Sequence, residues 1–120
     1  MTSRSVPTDI VLPHVVYQDV PNAEWLTRVF GFAEHYRYGK PISGTQMHLG
    51  AAWIMVKRAR AGQASPAQLG FGTQVFVDAV DAHFHRVKSA GATIVEDLHE
   101  TINGERQFGV EDFEDHHWLF

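Results

Sequence analysis

Tyr17-Gln18-Asp19-Val20-Pro21-Asn22-Ala23-Glu24-Trp25-Leu26-Thr27-Arg28-Val29-Phe30-Gly31 is the stretch that decides how this chain folds. Asp19 is placed to cap a helix, and Pro21 falls in the first turn, where its missing N–H is no loss. Val20, Ala23, Leu26, Thr27 and Phe30 share one helical face, and Gly31 supplies a left-handed stop. The spacing predicts a helix of roughly three turns. Upstream, residues 10–17 are β-branched and aromatic and read as a strand, with Pro13 marking an edge or a bulge. Downstream, 32–38, 45–49 and 53–57 read as three short strands broken by Gly39, Pro41, Gly44 and Gly50.

The same order then returns. Residues 73–77 read as a strand, and Asp78 or Asp81 is placed to cap a helix whose apolar positions are Val80, Phe84 and Val87. Gly91 ends it, and strands follow at 93–96, 106–110 and 116–120. Val20 matches Val80 and Gly31 matches Gly91, although few residues are identical. The expected fold is therefore α+β: two βαβββ modules over residues 9–57 and 70–120, joined by an Ala, Gly, Ser and Pro-rich loop at 58–69, forming one domain. One such module leaves a face of a small sheet uncovered, so two must pack together.

Composition narrows the function. The chain has 120 residues, 44% of them hydrophobic and 20% charged, as expected of a globular domain. It has no cysteine, which excludes disulfides, thiolate metal sites and thiol nucleophiles. A net charge of -4 argues against general nucleic-acid binding. No apolar run reaches the ~20 residues of a membrane span, and residues 1–9 are polar, so the expectation is a soluble, cytoplasmic protein. Eight acids lie between Glu96 and Asp115 against one base, Arg106. Such a run reads as solvated loops and strand edges, or as a field that steers a cationic ligand. No Gly-x-Ser-x-Gly elbow and no phosphate-binding glycine loop occurs.

Four motifs carry a family resemblance. Pro13-His14-Val15-Val16-Tyr17-Gln18-Asp19 leads into Trp25-Leu26 and Phe30-Gly31-Phe32. Val77-Asp78-Ala79-Val80-Asp81-Ala82-His83 leads into Ala90-Gly91-Ala92. Asn103-Gly104-Glu105-Arg106 resembles a Tyr-Gly-x-Arg turn, and Asp112 to Trp118 resembles Asp-Pro-x-Gly-His-x-Trp. In this order they resemble the vicinal oxygen chelate superfamily, which includes glyoxalase I, extradiol dioxygenases, fosfomycin-resistance enzymes and bleomycin-resistance proteins. The resemblance implies a cupped, U-shaped mixed sheet. Asn103, Phe113 and Asp115 depart from the pattern, and a non-glycine at a position needing positive φ points to a distorted last hairpin.

The resemblance also implies a divalent metal held by His, Glu or Gln from the first and a later strand of each module. Here the candidate ligands are His14, Gln46 or His48, and Gln74, with His117 a further donor in the last strand. Leu119 stands where glyoxalase I has its metal-binding Glu. The carboxylates are lost, and the remaining neutral donors suit hard cations poorly, so no cofactor is expected, with a degenerate divalent-metal site as the alternative. His83, His85 and His116 are expected to face solvent or the outer side of the sheet.

The aromatic residues Trp25, Trp53, Trp118, Tyr17, Tyr36 and Tyr38 are the other lead. Trp118 reads as core against a helix. Trp53, Trp25 and Tyr38, with Glu105 and Arg106 at the cup mouth, are the candidate ligand-binding residues, since planar molecules stack on such rings. Two functions follow. One is a metal-free protein that binds a small aromatic or hydrophobic molecule, as bleomycin-resistance proteins sequester an antibiotic without chemistry. The other is a metal-dependent lyase, isomerase or dioxygenase-type enzyme acting on vicinal oxygens. A homodimer is expected, because so small a sheet leaves edges for a second copy to cover.

Overall fold

The computed structural model describes residues 12–60 and 72–120. They fall into two compact units, 12–27 with 31–60 and 28–30 with 72–120. Residues 61–69 of the expected joining loop, and 9–11 and 70–71 at the starts of the two expected modules, lie outside the described residues.

The first unit is a four-stranded mixed sheet of β1 (His14–Tyr17), β2 (Ala33–Tyr38), β3 (Gly44–Leu49) and β4 (Ala52–Arg58), in the order β1-β4-β3-β2. β1 runs parallel to β4, and the other pairs are antiparallel. β1 is an edge strand, as Pro13 requires: this residue contributes only its carbonyl, which accepts from Met55 N–H at 2.8 Å. Val15, Tyr17, Met47, Ile54 and Val56 point to one face and are buried with Val20, Ala23 and Leu26. The opposite face carries His14, Gln46, His48, Trp53 and Met55, since alternate side chains leave a strand on alternate sides.

The second unit repeats this topology. β5 (Gly72–Gln74), β6 (Thr93–Glu100), β7 (Arg106–Glu111) and β8 (His117–Leu119) form a sheet in the order β5-β8-β7-β6, with β5 parallel to β8. Helix α1 (Val80–Ser89) buries Phe84 and Val87. The core is largely aromatic: Phe30 meets Trp118 edge-on at 5.3 Å and Phe120 at 4.9 Å, while Phe108 packs on Phe84 and Phe120. Trp118 is thus core, as its motif position implies.

The expected α+β architecture of two like modules is present, with local departures. The first helical segment is not a regular α-helix. It is a 3₁₀ turn at Val20–Ala23, capped by Asp19, whose carboxylate accepts from Asn22 N–H at 3.3 Å. It widens into a π-type turn at Leu26–Phe30, which leaves Leu26, Val29 and Phe30 all buried. Gly31 and Gly91 close the two helical segments at φ 91° and 86°, so the glycine correspondence has a physical basis. Neither Asp78 nor Asp81 caps α1; Ala79 holds the cap position, and Asp81 pairs instead with Arg106. The fifth strand stops at Gln74, and β6 continues to Glu100.

The last hairpin is intact. Asp115 adopts φ 65°, and β7 and β8 keep register from Glu111–His117 to Gly109–Leu119. Asp112 holds this turn. Its Oδ1 accepts from Glu114 N–H (2.9 Å), His116 N–H (3.0 Å) and the His116 ring Nδ1 (3.2 Å), and its Oδ2 accepts from Trp118 Nε1–H (3.0 Å). His116 is therefore buried, not solvent-facing as expected. His83 also turns inward and lies 4.4 Å from the Phe120 ring, with its Nε2 buried and without a hydrogen-bond partner. Burial, reinforced by the Arg86 charge, lowers its pKa to about 4.

Candidate ligand-binding face and its relatives

The open face of the first sheet is arranged in rows across the strands. One row is His14 on β1, Met55 on β4, Gln46 on β3 and Tyr36 on β2. His14 is exposed and Gln46 is buried, with Met55 between them. Two strand spacings put the backbones of His14 and Gln46 about 10 Å apart. His48 sits in the next row opposite Trp53, and their rings stack at 4.6 Å with a 25° tilt. The His48 Nδ1 lies 3.2 Å from the Gly50 carbonyl, which only accepts, so Nδ1 carries the proton and ties His48 to the β3–β4 turn. His35 meets Trp53 edge-on at 5.1 Å from the other strand.

Tyr38 completes this surface. It pairs with Gly44, and its ring occupies the space a Cβ on Gly44 would need. Only glycine allows the ring to lie across β3, where its hydroxyl reaches Met55 Sδ on β4 at 3.5 Å. Tyr36 is beside it, ring centres 6.3 Å apart. The face therefore carries half-buried aromatic rings already fixed by their neighbours: Trp53 by two histidines, Tyr38 by a glycine and a thioether. Trp25 is half-buried in the helical segment.

Gln74, Glu105 and Arg106 belong to the second unit. They line a cavity of about 290 Å³ with Phe76, Val80 and Phe120. Arg106 is committed to Asp81, with Nε to Oδ1 at 3.1 Å and Nη2 to Oδ2 at 3.4 Å, not to Glu105. Phe76 is 78% exposed at this rim, a feature the sequence reading did not single out. Gln74 lies opposite Leu119, and the exposed His117 lies opposite Glu111.

The model of the Glyoxalase/Bleomycin resistance protein/Dioxygenase superfamily matches residues 15–120. The chain belongs to this superfamily. Among solved structures it is similar to TioX from Micromonospora sp. ML1, at 36% identity over 91% of this chain and 94% of that one, with a TM-score of 0.76. The glyoxalase/bleomycin resistance protein/dioxygenase from Alicyclobacillus acidocaldarius is 14% identical over 97% and 92% of the two chains, with a TM-score of 0.74. The fosfomycin resistance protein FosX from Listeria monocytogenes, in complex with Mn(II) and sulfate, is 17% identical over 95% and 89%, with a TM-score of 0.64. No curated protein matches.

Superfamily membership raises the question of a divalent metal, as in FosX. Among the described residues no group of three or more His, Cys, Asp or Glu side chains is placed to hold one ion. The candidate ligands are all neutral: His14 and His48 offer imidazole nitrogen, and Gln46 and Gln74 offer amide oxygen. The donor set as it stands does not fit a resident hard cation. Among the described residues no helix is long and apolar enough to cross a membrane.

Proposed function

We propose that this superfamily member binds a small planar aromatic or hydrophobic molecule on the open face of its first sheet, by stacking and apolar burial and without bond chemistry. The observation that carries this reading is the Tyr38 ring lying across Gly44, on the same face of the sheet as a Trp53 ring stacked on His48. Rings held in place before a ligand arrives lose little freedom when it binds, which is where such sites gain affinity. Trp25, on the helical segment, and the Glu105–Arg106 turn, in the second unit, are proposed as ligand contacts of their own units only. Each sheet ends in two edge strands, β1 and β2 or β5 and β6, and we place the protein in solution as a homodimer on that basis.

Tryptophan emission tests the reading. Acridine orange and 2-naphthoate, one cationic and one anionic planar probe, are titrated against the full chain. Saturable quenching by either is expected, with loss of most of the signal in Trp53→Phe. Unchanged emission with both probes, or equal affinity in Trp53→Phe, would sink the proposal. Sedimentation velocity gives the oligomeric state, and a monomer at micromolar concentration removes the dimer.

A further inference from the structure

The covered side of the first sheet holds a cavity of about 320 Å³ that the proposed function does not use. Its accessible apolar lining is Pro21 and Ile42, backed by the buried Val20, Ala23 and Met47. Its polar wall is Glu34, Arg37 and Thr45. In a regular strand, residues 34 and 37 point to opposite faces. Here β2 is bulged: Glu34 stands opposite Met47, Tyr36 opposite Gln46 and Arg37 opposite Thr45, so His35 is an extra residue. Because Met47 and Thr45 share a face, the bulge turns both Glu34 and Arg37 into the cavity.

The wall is held in place by hydrogen bonds. Arg37 Nε donates to Glu34 Oε1 at 2.8 Å, and Thr45 Oγ1, on a residue only 1% exposed, donates to Glu34 Oε2 at 2.9 Å. Partial burial alone would raise the Glu34 pKa, but the bonds from Arg37 and Thr45 with the Arg37 charge hold it below its ordinary value. Each partner keeps capacity to spare. A carboxylate has about four lone-pair sites and a guanidinium five N–H donors, and these contacts use two and one. A lone cation entering the cavity competes with Arg37 for Glu34, and a lone anion competes with Glu34 for Arg37. A zwitterion competes with neither, because it offers each group a second partner of the right sign.

We propose that this cavity is a second binding site, for a small zwitterion with an aliphatic tail, the chemistry of a free α-amino acid. Its ammonium sits on Glu34, its carboxylate on the outer nitrogens of Arg37, and its tail on Pro21 and Ile42. The test follows backbone amide NMR shifts of the full chain during titration with L-leucine, 3-methylbutylamine and 4-methylpentanoate, which share a branched tail and differ in charge. Leucine is expected to shift amides around residues 20–23, 34–37 and 45–47, with a dissociation constant on the order of 1 mM. Each single-charge analogue should bind at least about tenfold more weakly. Glu34→Gln and Arg37→Met should each weaken leucine by a similar factor, and both fold normally because an exposed ion pair contributes little stability. Absence of saturable shifts, shifts confined to other regions, or either analogue binding as well as leucine overturns the proposal. Trp53 quenching by the planar probes is an independent readout that leucine should leave unchanged.

Discussion

Replacing Asp112 by Asn should cost this protein far more stability than one carboxylate-to-amide exchange ordinarily does. The Asp112 side chain is buried and accepts at least four hydrogen bonds: two from backbone N–H groups, one from the His116 ring and one from the Trp118 indole. Asn offers one oxygen. If that oxygen keeps the three contacts at Oδ1, its amide nitrogen confronts the indole N–H at 3.0 Å, donor against donor. A buried donor left without an acceptor costs about 1–3 kcal/mol, and the lost charge assistance adds to this, so about 2–4 kcal/mol is expected for Asp112→Asn. Asp112→Ala strands all the donors and should cost about 3–5 kcal/mol. For a chain of this size these convert to a fall in Tm of roughly 8–20 °C. The indole component can be isolated by thermal and urea unfolding of Asp112→Asn, Trp118→Phe and the double variant. Phe has no N–H to oppose the amide, so the cycle should show a coupling of about 1–2 kcal/mol, the double variant being less damaged than the sum. A Tm for Asp112→Asn within about 2 °C of the parent, or strictly additive variants, would refute the reasoning.

Asp115→Gly should stabilise by about 0.5–1 kcal/mol, since Asp115 holds φ 65° where glycine is unstrained; a lower urea midpoint would contradict this. Gly44→Ala must lift the Tyr38 ring off β3, and should weaken planar-probe quenching by about tenfold or more in fluorescence titrations. His83 has a folded pKa of about 4, below its ordinary value near 6.5. Its neutral form therefore supports folding fully above pH 6.5, and that support is lost as pH falls toward 4. With partial exposure discounted, His83→Leu should remove about 1 kcal/mol of the stability difference between pH 8 and pH 5, measured by urea unfolding at both values. Mn²⁺ or Zn²⁺ added to the metal-stripped protein should shift Tm by less than about 1 °C; a larger shift abolished by His14→Ala would restore the metal reading.

Much of the fold was legible because the decisive signals were local. Pro21, Gly31 and Gly91 each restrict backbone angles at one position, and they mark both helical segments wherever the rest of the chain goes. What sequence could not show was set by partners distant along the chain or across strands. Asp81 looks like a cap, but Arg106, 25 residues later, takes it as an ion partner. His116 looks exposed until the turn brings Asp112 under it; the Asp-x-x-x-His-x-Trp spacing was the available signal, since only a tight turn lets one carboxylate serve both rings. The bulge at His35 was invisible, because Glu34 and Arg37 carry the spacing of a helical ion pair and not of a strand pair. Of the candidate site, Trp53 and His48 do meet. Tyr36, absent from the candidate ligand set, entered it through the register shift.

The strand order in both units has a kinetic side. In each, the first strand finds its neighbour only in the fourth, so His14 waits for Met55 and Gly72 for His117. The central hairpins β2–β3 and β6–β7 close over short loops and are available early. The parallel pair must then be recruited across roughly 40 residues of chain, with no turn to dictate its alignment. Refolding should therefore contain the same late event twice, the docking of a lone leading strand beside an already assembled hairpin. Substitutions in β1 or β5 are expected to speed unfolding and leave the folding rate nearly unchanged.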